Sequence, residues 1–204
     1  MLQEIINEIN TVKTINVNEL DAKKTLVISI DMNNGFCKEG ALSSDDVRKI
    51  IEPTKDIFEK LSDKTFKIMA YTDAHDEDSI EFKSYPIHCL KDSEESKIVD
   101  ELIDYMDVVI QKASTNGFLA KNPLDIYKYV DTFLISGCCT DICIYQYAIT
   151  LKTYLNEHNL DGRVIVAKNL VETFDSPYHN RELYHVMALK SLMNNGVEVV
   201  NIEG

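Results

Sequence analysis

Apolar and polar positions follow two different rhythms along this chain. The short runs TLVISID (25–31), FKIMAYT (66–72), DVVIQK (107–112), TFLISG (132–137), RVIVAK (163–168) and VEVVNI (197–202) are rich in β-branched residues and interrupted by few polar ones. Such runs read as strands buried on both faces, which a parallel sheet requires. Between them, SSDDVRKIIEPTKDIFEKLSD (43–63), SKIVDELIDYM (96–106), NPLDIYKYV (122–130), DICIYQYAITLKTYLNEH (141–158) and SPYHNRELYHVMALKSLMNNG (176–196) place apolar residues at helical spacing. Ser43 or Ser44 is the expected N-cap of the first helical stretch, and Asn194-Asn195-Gly196 stops the last. Repeated strand-to-helix alternation with short links predicts a doubly wound α/β fold: a mostly parallel sheet of about six strands with helices on both faces. No repeat or Pro/Gly linker divides the chain, so residues 1–204 read as one domain, with 1–22 as an N-terminal helical extension.

Charge narrows the partners. The formal net charge is -13, with acidic residues spread along the chain. Such a surface repels phosphate backbones and anionic lipid, which argues against nucleic acid and membrane partners and favours a small neutral or cationic substrate. No stretch approaches the roughly 20 apolar residues of a membrane span. The N-terminus lacks the basic start and apolar core of a signal peptide, so the expected location is cytoplasmic. Five cysteines, an odd number with Cys138 and Cys139 adjacent, do not form a disulfide framework and are expected as thiols. The segment LQEIINEI (2–9) would pack on its own domain or on a neighbouring subunit, so a homo-oligomer stays open.

In an open α/β sheet, ligands bind beyond the carboxyl ends of the strands. Asp31 ends the first run, Lys112 ends DVVIQK, and the cysteine-rich ISGCCTDICI (135–144) follows TFLISG. Alone, Asp31 reads as a turn former and Lys112 as a solvated strand terminus. Together with a cysteine they supply a thiol, a carboxylate to take its proton and an ammonium to hold the charges. Cys138 continues its strand as a small buried hydrophobe, and Cys139 lies in the turn. Cys143 falls in the first turn of the next helix, where free N–H groups and the helix dipole favour a thiolate and offer an oxyanion site. Thr140 or Asp141 would cap that helix. A three-cysteine zinc site is a weaker reading, because no second C-x-x-C pair appears.

A second cluster follows FKIMAYT. In TDAHDEDSIEFKSYPIHC (72–89), Asp73 and His75 stand two apart, Glu77, Asp78 and Glu81 follow, and His88 comes after a proline turn. Two imidazoles among carboxylates suit Zn, Mn or Fe; on spacing alone, the stretch reads equally as an acidic solvated loop. His158, His179 and His185 lie in helical segments without such neighbours and read as structural or exposed.

These pieces resemble the cysteine hydrolase superfamily that includes nicotinamidases and isochorismatases. VISIDMNNGFCKEGAL resembles its first-strand motif D-x-Q-N-D-F, VIQKASTNGF its lysine motif, and ISGCCTDICI its G-x-x-T-D-x-C motif. They occur in the family's order and span about residues 25–202. The resemblance implies an isochorismatase-like hydrolase fold, with Cys143 as nucleophile, Asp31 as general base and Lys112 as third member of a triad. It also implies a cis peptide between Cys138 and Cys139 that turns the backbone N–H groups of Cys139 and Cys143 toward an oxyanion. TDAHDEDSIEFKSYPIHC resembles the nicotinamidase metal loop, which implies one divalent ion, foremost Zn with Mn or Fe as alternatives, on Asp73, His75 and His88. Glu81 is the chosen fourth ligand, ahead of Glu77 and Asp78. The implied substrate is nicotinamide, its ring flanked by Phe36 and Tyr85, hydrolysed through a thioester to nicotinate and ammonia for NAD salvage. The sequence departs from the family pattern at Asn33 (usually Gln), Gly35 (Asp), Tyr85 (Trp) and Ile87 (Pro), which bears on pocket shape. The competing readings are another amidase or carbamoyl hydrolase of the superfamily, and a non-catalytic binding module. The D-x-H and P-x-H-C pieces weigh against the first, and the joint presence of Asp31, Lys112 and Cys143 against the second.

Overall fold

A computed structural model describes residues 2–204. Among them, seven strands form one sheet: β1 (Thr14–Asn16), β2 (Thr25–Ile30), β3 (Lys67–Asp73), β4 (Val108–Lys112), β5 (Thr132–Cys138), β6 (Arg163–Glu172) and β7 (Glu198–Glu203). Their spatial order is β1-β7-β6-β5-β2-β3-β4, and every neighbouring pair is parallel. The longer helices are α1 (Leu2–Asn10), α2 (Ile51–Asp63), α3 (Tyr145–Glu157) and α4 (Arg181–Asn194).

The central apolar runs form strands because both sheet faces are covered there; β4, at the sheet edge, differs from the expectation, with Val109 and Gln111 exposed. All six residues of β2 are buried. Leu26, Ile28 and Ile30 pack with Ile9 of α1, Leu151 of α3 and Leu189 of α4, while Val27 joins Ile57, Phe58 and Leu61 of α2 on the opposite face. Each such side chain withdrawn from water contributes about 1.5–3 kcal/mol.

Several elements differ from the sequence expectation. Residues 1–22 are not one helix: α1 ends at Asn10, and Thr14–Asn16 adds a seventh strand to the six expected, pairing with β7 from Thr14 opposite Asn201. The exposed edge of β7 offers backbone groups that only an extended segment can pair. The stretch 43–63 divides into a turn at Asp45–Arg48, capped by the Ser44 hydroxyl, and α2. Pro53 has no N–H to give the Lys49 carbonyl, so the helix cannot run through. In 96–106 only Asp100–Ile103 is helical. The preceding residues instead brace the loop after β2, with Asn34 donating to the Lys97 carbonyl and Val99 to that of Met32. In 122–130 only the turn Pro123–Asp125 forms, and β6 extends beyond residue 168 to Glu172.

The topology places the site. From β2 the chain steps outward through β3 and β4, then crosses to β5 on the other side of β2. Loops leaving β2 and β5 therefore diverge, and a crevice opens at their carboxyl ends. Gly137 sits opposite Ile30 in that register, at φ +116°, where a Cβ would lie 1.9 Å from the Ile30 carbonyl oxygen. Only glycine permits this approach.

Candidate active site and metal centre

The sheet order sets four side chains next to one another. Asp31 is the first residue after β2, held at φ +54° with its N–H donating to the Tyr71 carbonyl at 2.9 Å. Asp73 and Lys112 are register partners at the ends of β3 and β4. Cys143 lies in Thr140–Ile144, a turn widened to π-helical form that leads directly into α3. Such widened turns recur at functional sites. Asp31, Lys112 and Cys143 are all buried.

Their charges are interdependent. Nζ of Lys112 lies 2.8 Å from Oδ2 of Asp31 and also contacts Oδ1 of Asp73. Burial alone would lower the Lys112 pKa, but the two carboxylates and the Cys143 sulfur hold it well above its ordinary value. Burial pushes Asp31 up to about 7, against the pull of Lys112 and of the Cys143 thiol. Neither Asp31 oxygen receives an aligned hydrogen bond among the described residues. Cys143 is raised well above the usual thiol value, first by burial and then by Asp31 and Asp73, with Lys112 opposing. The thiolate favoured by the helix start is therefore opposed by burial and by the two carboxylates.

The peptide between Cys138 and Cys139 is cis. Cys139 and Cys143 line a cavity of about 550 Å³ together with Asp31, Phe36, Glu81, Tyr85 and His88. Phe36 and Tyr85 both approach the His88 ring, at centroid distances of 5.7 and 6.3 Å.

Beside this cavity, Asp73, His75, Glu81 and His88 each bring a ligand atom within 4.8 Å of the others. Glu77 and Asp78 are exposed. The loop is fixed by its backbone, the His75 N–H donating to the Cys89 carbonyl and the Lys91 N–H to that of His75. His88 Nδ1 donates to the Pro86 carbonyl at 2.7 Å, so Nε2 turns its lone pair toward Asp73 Oδ2 at 3.4 Å. His75 Nε2 is buried without a hydrogen-bond partner and lies 3.5 Å from the same oxygen. An orphaned buried nitrogen is costly, and a carboxylate aimed at two imidazole lone pairs is the donor set of a divalent cation. These residues fit such an ion. Burial alone would raise Asp73, yet the Lys112 ammonium beside it holds it well below the ordinary carboxylate range. Burial and the Asp73 charge raise Glu81.

Other contributors were hidden in the sequence. Asn33 is fully buried, and its Nδ2 donates to the carbonyls of Asp73 and Ser96, joining the loops after β2 and β3. Phe82 packs against both His75 and His88, at 5.3 and 5.7 Å. The two residues that open the nucleophile turn are each met by a histidine read from sequence as structural or exposed: Thr140 by His185 Nδ1 at 2.9 Å, and Asp141 by His179 Nε2 at 2.7 Å. These contacts span 45 and 38 residues, beyond any local pattern. Gly35 also gains an explanation, because a Cβ there would lie 2.6 Å from Cys89 Sγ and 3.1 Å from the Glu95 carbonyl oxygen.

Comparison with known proteins agrees with this architecture. The isochorismatase domain model matches residues 25–204. Nicotinamidase 1 of Arabidopsis thaliana is 27% identical over 213 residues, covering 89% of this chain and 86% of that protein. The fold superposes on the zinc complex of a Pyrococcus horikoshii pyrazinamidase (TM-score 0.72, 23% identity, 87% of this chain and 99% of that one). It superposes equally on a Bacillus subtilis nicotinamidase (TM-score 0.72, 22% identity, 87% and 99%). With the family model spanning everything from β2 to the last residue, the chain belongs to the isochorismatase family, as an amide hydrolase of its nicotinamidase-like branch.

Proposed function

We propose that the chain hydrolyses nicotinamide to nicotinate and ammonia, a step of NAD salvage in the cytoplasm. The observation that carries this reading is the adjacency of two centres at one cavity: Asp31 and Cys143 line it, and so do Glu81 and His88, which belong to the cluster completed by Asp73 and His75. A pyridine carboxamide has two ends that match them, a ring nitrogen with a lone pair and an amide carbon.

In this mechanism, Asp31 takes the proton of the Cys143 thiol as sulfur attacks the amide carbon. Its pKa near 7 suits a group that must first accept and then return a proton. Lys112 stays charged, keeps Asp31 in place and limits how far burial raises it. The backbone N–H groups of Cys139 and Cys143 receive the developing oxyanion. Asp31 passes the proton to the departing amine, and ammonia leaves behind a thioester. Water, deprotonated by Asp31, then releases nicotinate and restores the thiol. Asp73, His75, Glu81 and His88 would hold a divalent ion, zinc foremost, whose chemistry there is to bind and polarise the ring. Phe36 and Tyr85, whose rings stand near His88, would flank the ring of the substrate.

The test is ammonia release from nicotinamide by the purified protein, alongside Cys143→Ala and a chelator-treated sample. Activity that disappears in the variant and returns to the chelated sample with added metal supports the reading. No turnover with Zn, Mn or Fe supplied rejects nicotinamide as substrate.

A further inference from the structure

The segment after β6 is bound to the nucleophile turn by side chains outside the triad and the metal cluster. Asp141, two residues before Cys143, places Oδ2 at 2.7 Å from His179 Nε2 and accepts the Thr173 hydroxyl on Oδ1 at 2.6 Å. His179 Nδ1 lies 2.9 Å from the Phe174 carbonyl oxygen. The imidazole is stacked between the rings of Phe174 and Tyr184, with both centroids at 4.0 Å and interplanar angles of 12° and 25°. Between Thr173 and His179 the backbone closes on itself, Ser176 and His179 each donating to the other's carbonyl. One side chain, His179, thus engages the segment by its ring face and by one nitrogen, and the nucleophile turn by the other.

Phe174, Asp175 and Ser176 line the same cavity as Asp31, Cys143 and His88. The sheet order gives them their side of it. They follow β6, which flanks β5 away from β2, whereas the metal cluster follows β3 on the far side of β2. Phe36 stands against His88 on the metal side, so Phe174 walls the cavity from the opposite side. Aromatic walls favour flat aromatic ligands.

We propose that the Asp141–His179 pair latches residues 173–180 onto the turn that carries Cys143, which makes Phe174 a specificity-determining wall for aromatic amides and His179 a positioning residue. The inference rests on the aromatic-amide reading above.

Steady-state ammonia release tests it on the full-length, metal-loaded protein and its His179→Ala, His179→Gln and Phe174→Ala variants, with nicotinamide and with butyramide as a non-aromatic amide. His179→Ala raises KM for nicotinamide about tenfold, or about 1.4 kcal/mol, while kcat changes little, the signature of lost binding shared by ground and transition states. His179→Gln retains a donor toward Asp141 and recovers part of the loss. Phe174→Ala reproduces the KM rise, and the double variant adds little to it, as expected for two residues acting through one contact. Butyramide kinetics move less than nicotinamide kinetics throughout. An unchanged KM in His179→Ala, or equal losses on both amides, overturns the latch while leaving the nicotinamidase reading intact. Wild-type protein with no turnover of nicotinamide rejects that reading, and the proposal falls with it.

Discussion

Nζ of Lys112 lies 2.8 Å from Oδ2 of Asp31, with neither side chain open to solvent. A buried ammonium is tolerable only where carboxylates surround it, and here Asp73 supplies the second. Lys112→Met therefore leaves two buried carboxylates facing no cation. We expect it to lower stability by about 3–5 kcal/mol at neutral pH. Lys112 helps hold Asp73 below its ordinary value. The wild type thus has that stabilisation above the unfolded carboxylate pKa of about 4 and loses it on acidification. The variant has none to lose, so the gap narrows as pH falls. Urea denaturation of both proteins at several pH values measures this, and a gap that widens toward acid contradicts it.

The pH dependence of turnover follows from Asp31. The base must be ionised to take the thiol proton, and burial pushes it up to about 7 against Lys112. Activity should therefore fall on the acid side, with a limb in kcat/KM well above the ordinary carboxylate range. A profile flat down to about pH 5 would exclude Asp31 as the base.

Cys143→Ala should reduce kcat by at least about 10³-fold, the scale on which a nucleophile's loss is felt. Its thermal midpoint should change little, since the substitution removes a single buried sulfur atom and leaves the backbone of the turn unaltered. Single-turnover assays read the first point and circular dichroism the second. Residual activity of a tenth or more would point to another nucleophile.

Metal binding should be visible without any substrate. Adding Zn to chelated protein should raise the thermal midpoint, because a ligand at about 100 times its Kd adds about 2.7 kcal/mol to the folded state. His88→Ala removes one of the four ligand groups and should abolish most of the shift. A shift that survives that substitution would place the ion elsewhere.

Gly35→Asp restores the acid usual in the family, and we expect it to destabilise this chain. The new Cβ would stand 2.6 Å from Cys89 Sγ and 3.1 Å from the Glu95 carbonyl oxygen. Overpacking of this kind costs about 1–3 kcal/mol. A variant as stable as wild type in chemical denaturation would mean that the Glu95 loop yields freely.

The parallel sheet was legible because its central strands, β2, β3 and β5, are buried on both sides and announce themselves as apolar runs. Thr14–Asn16 was not, since three residues carry no readable period and that strand exists only because β7 has a free edge. Residues 96–99 have helical spacing but are claimed by the loop after β2, a tertiary demand that overrides local preference. In the site, Asp31, Lys112 and Cys143 could be picked out because strand ends and motif order converge on them. The upward push on the Cys143 thiol could not, because it comes from burial first and then from Asp31 and Asp73, which only the fold brings near. His179 and His185 looked idle for the same reason, their partners lying far away along the chain.

Asp73 uses its two oxygens for different tasks, Oδ1 toward Lys112 and Oδ2 toward His75 and His88. A cation attracted to Oδ2 competes with Lys112 for one delocalised charge, and whatever attraction Lys112 loses there is released toward Asp31. Thermodynamic reciprocity then requires protonation of Asp31 to change cation affinity by the same factor by which the cation changes proton affinity. The metal dissociation constant, followed as a function of pH without substrate or turnover, then carries the protonation of Asp31 alongside that of the ligand side chains themselves.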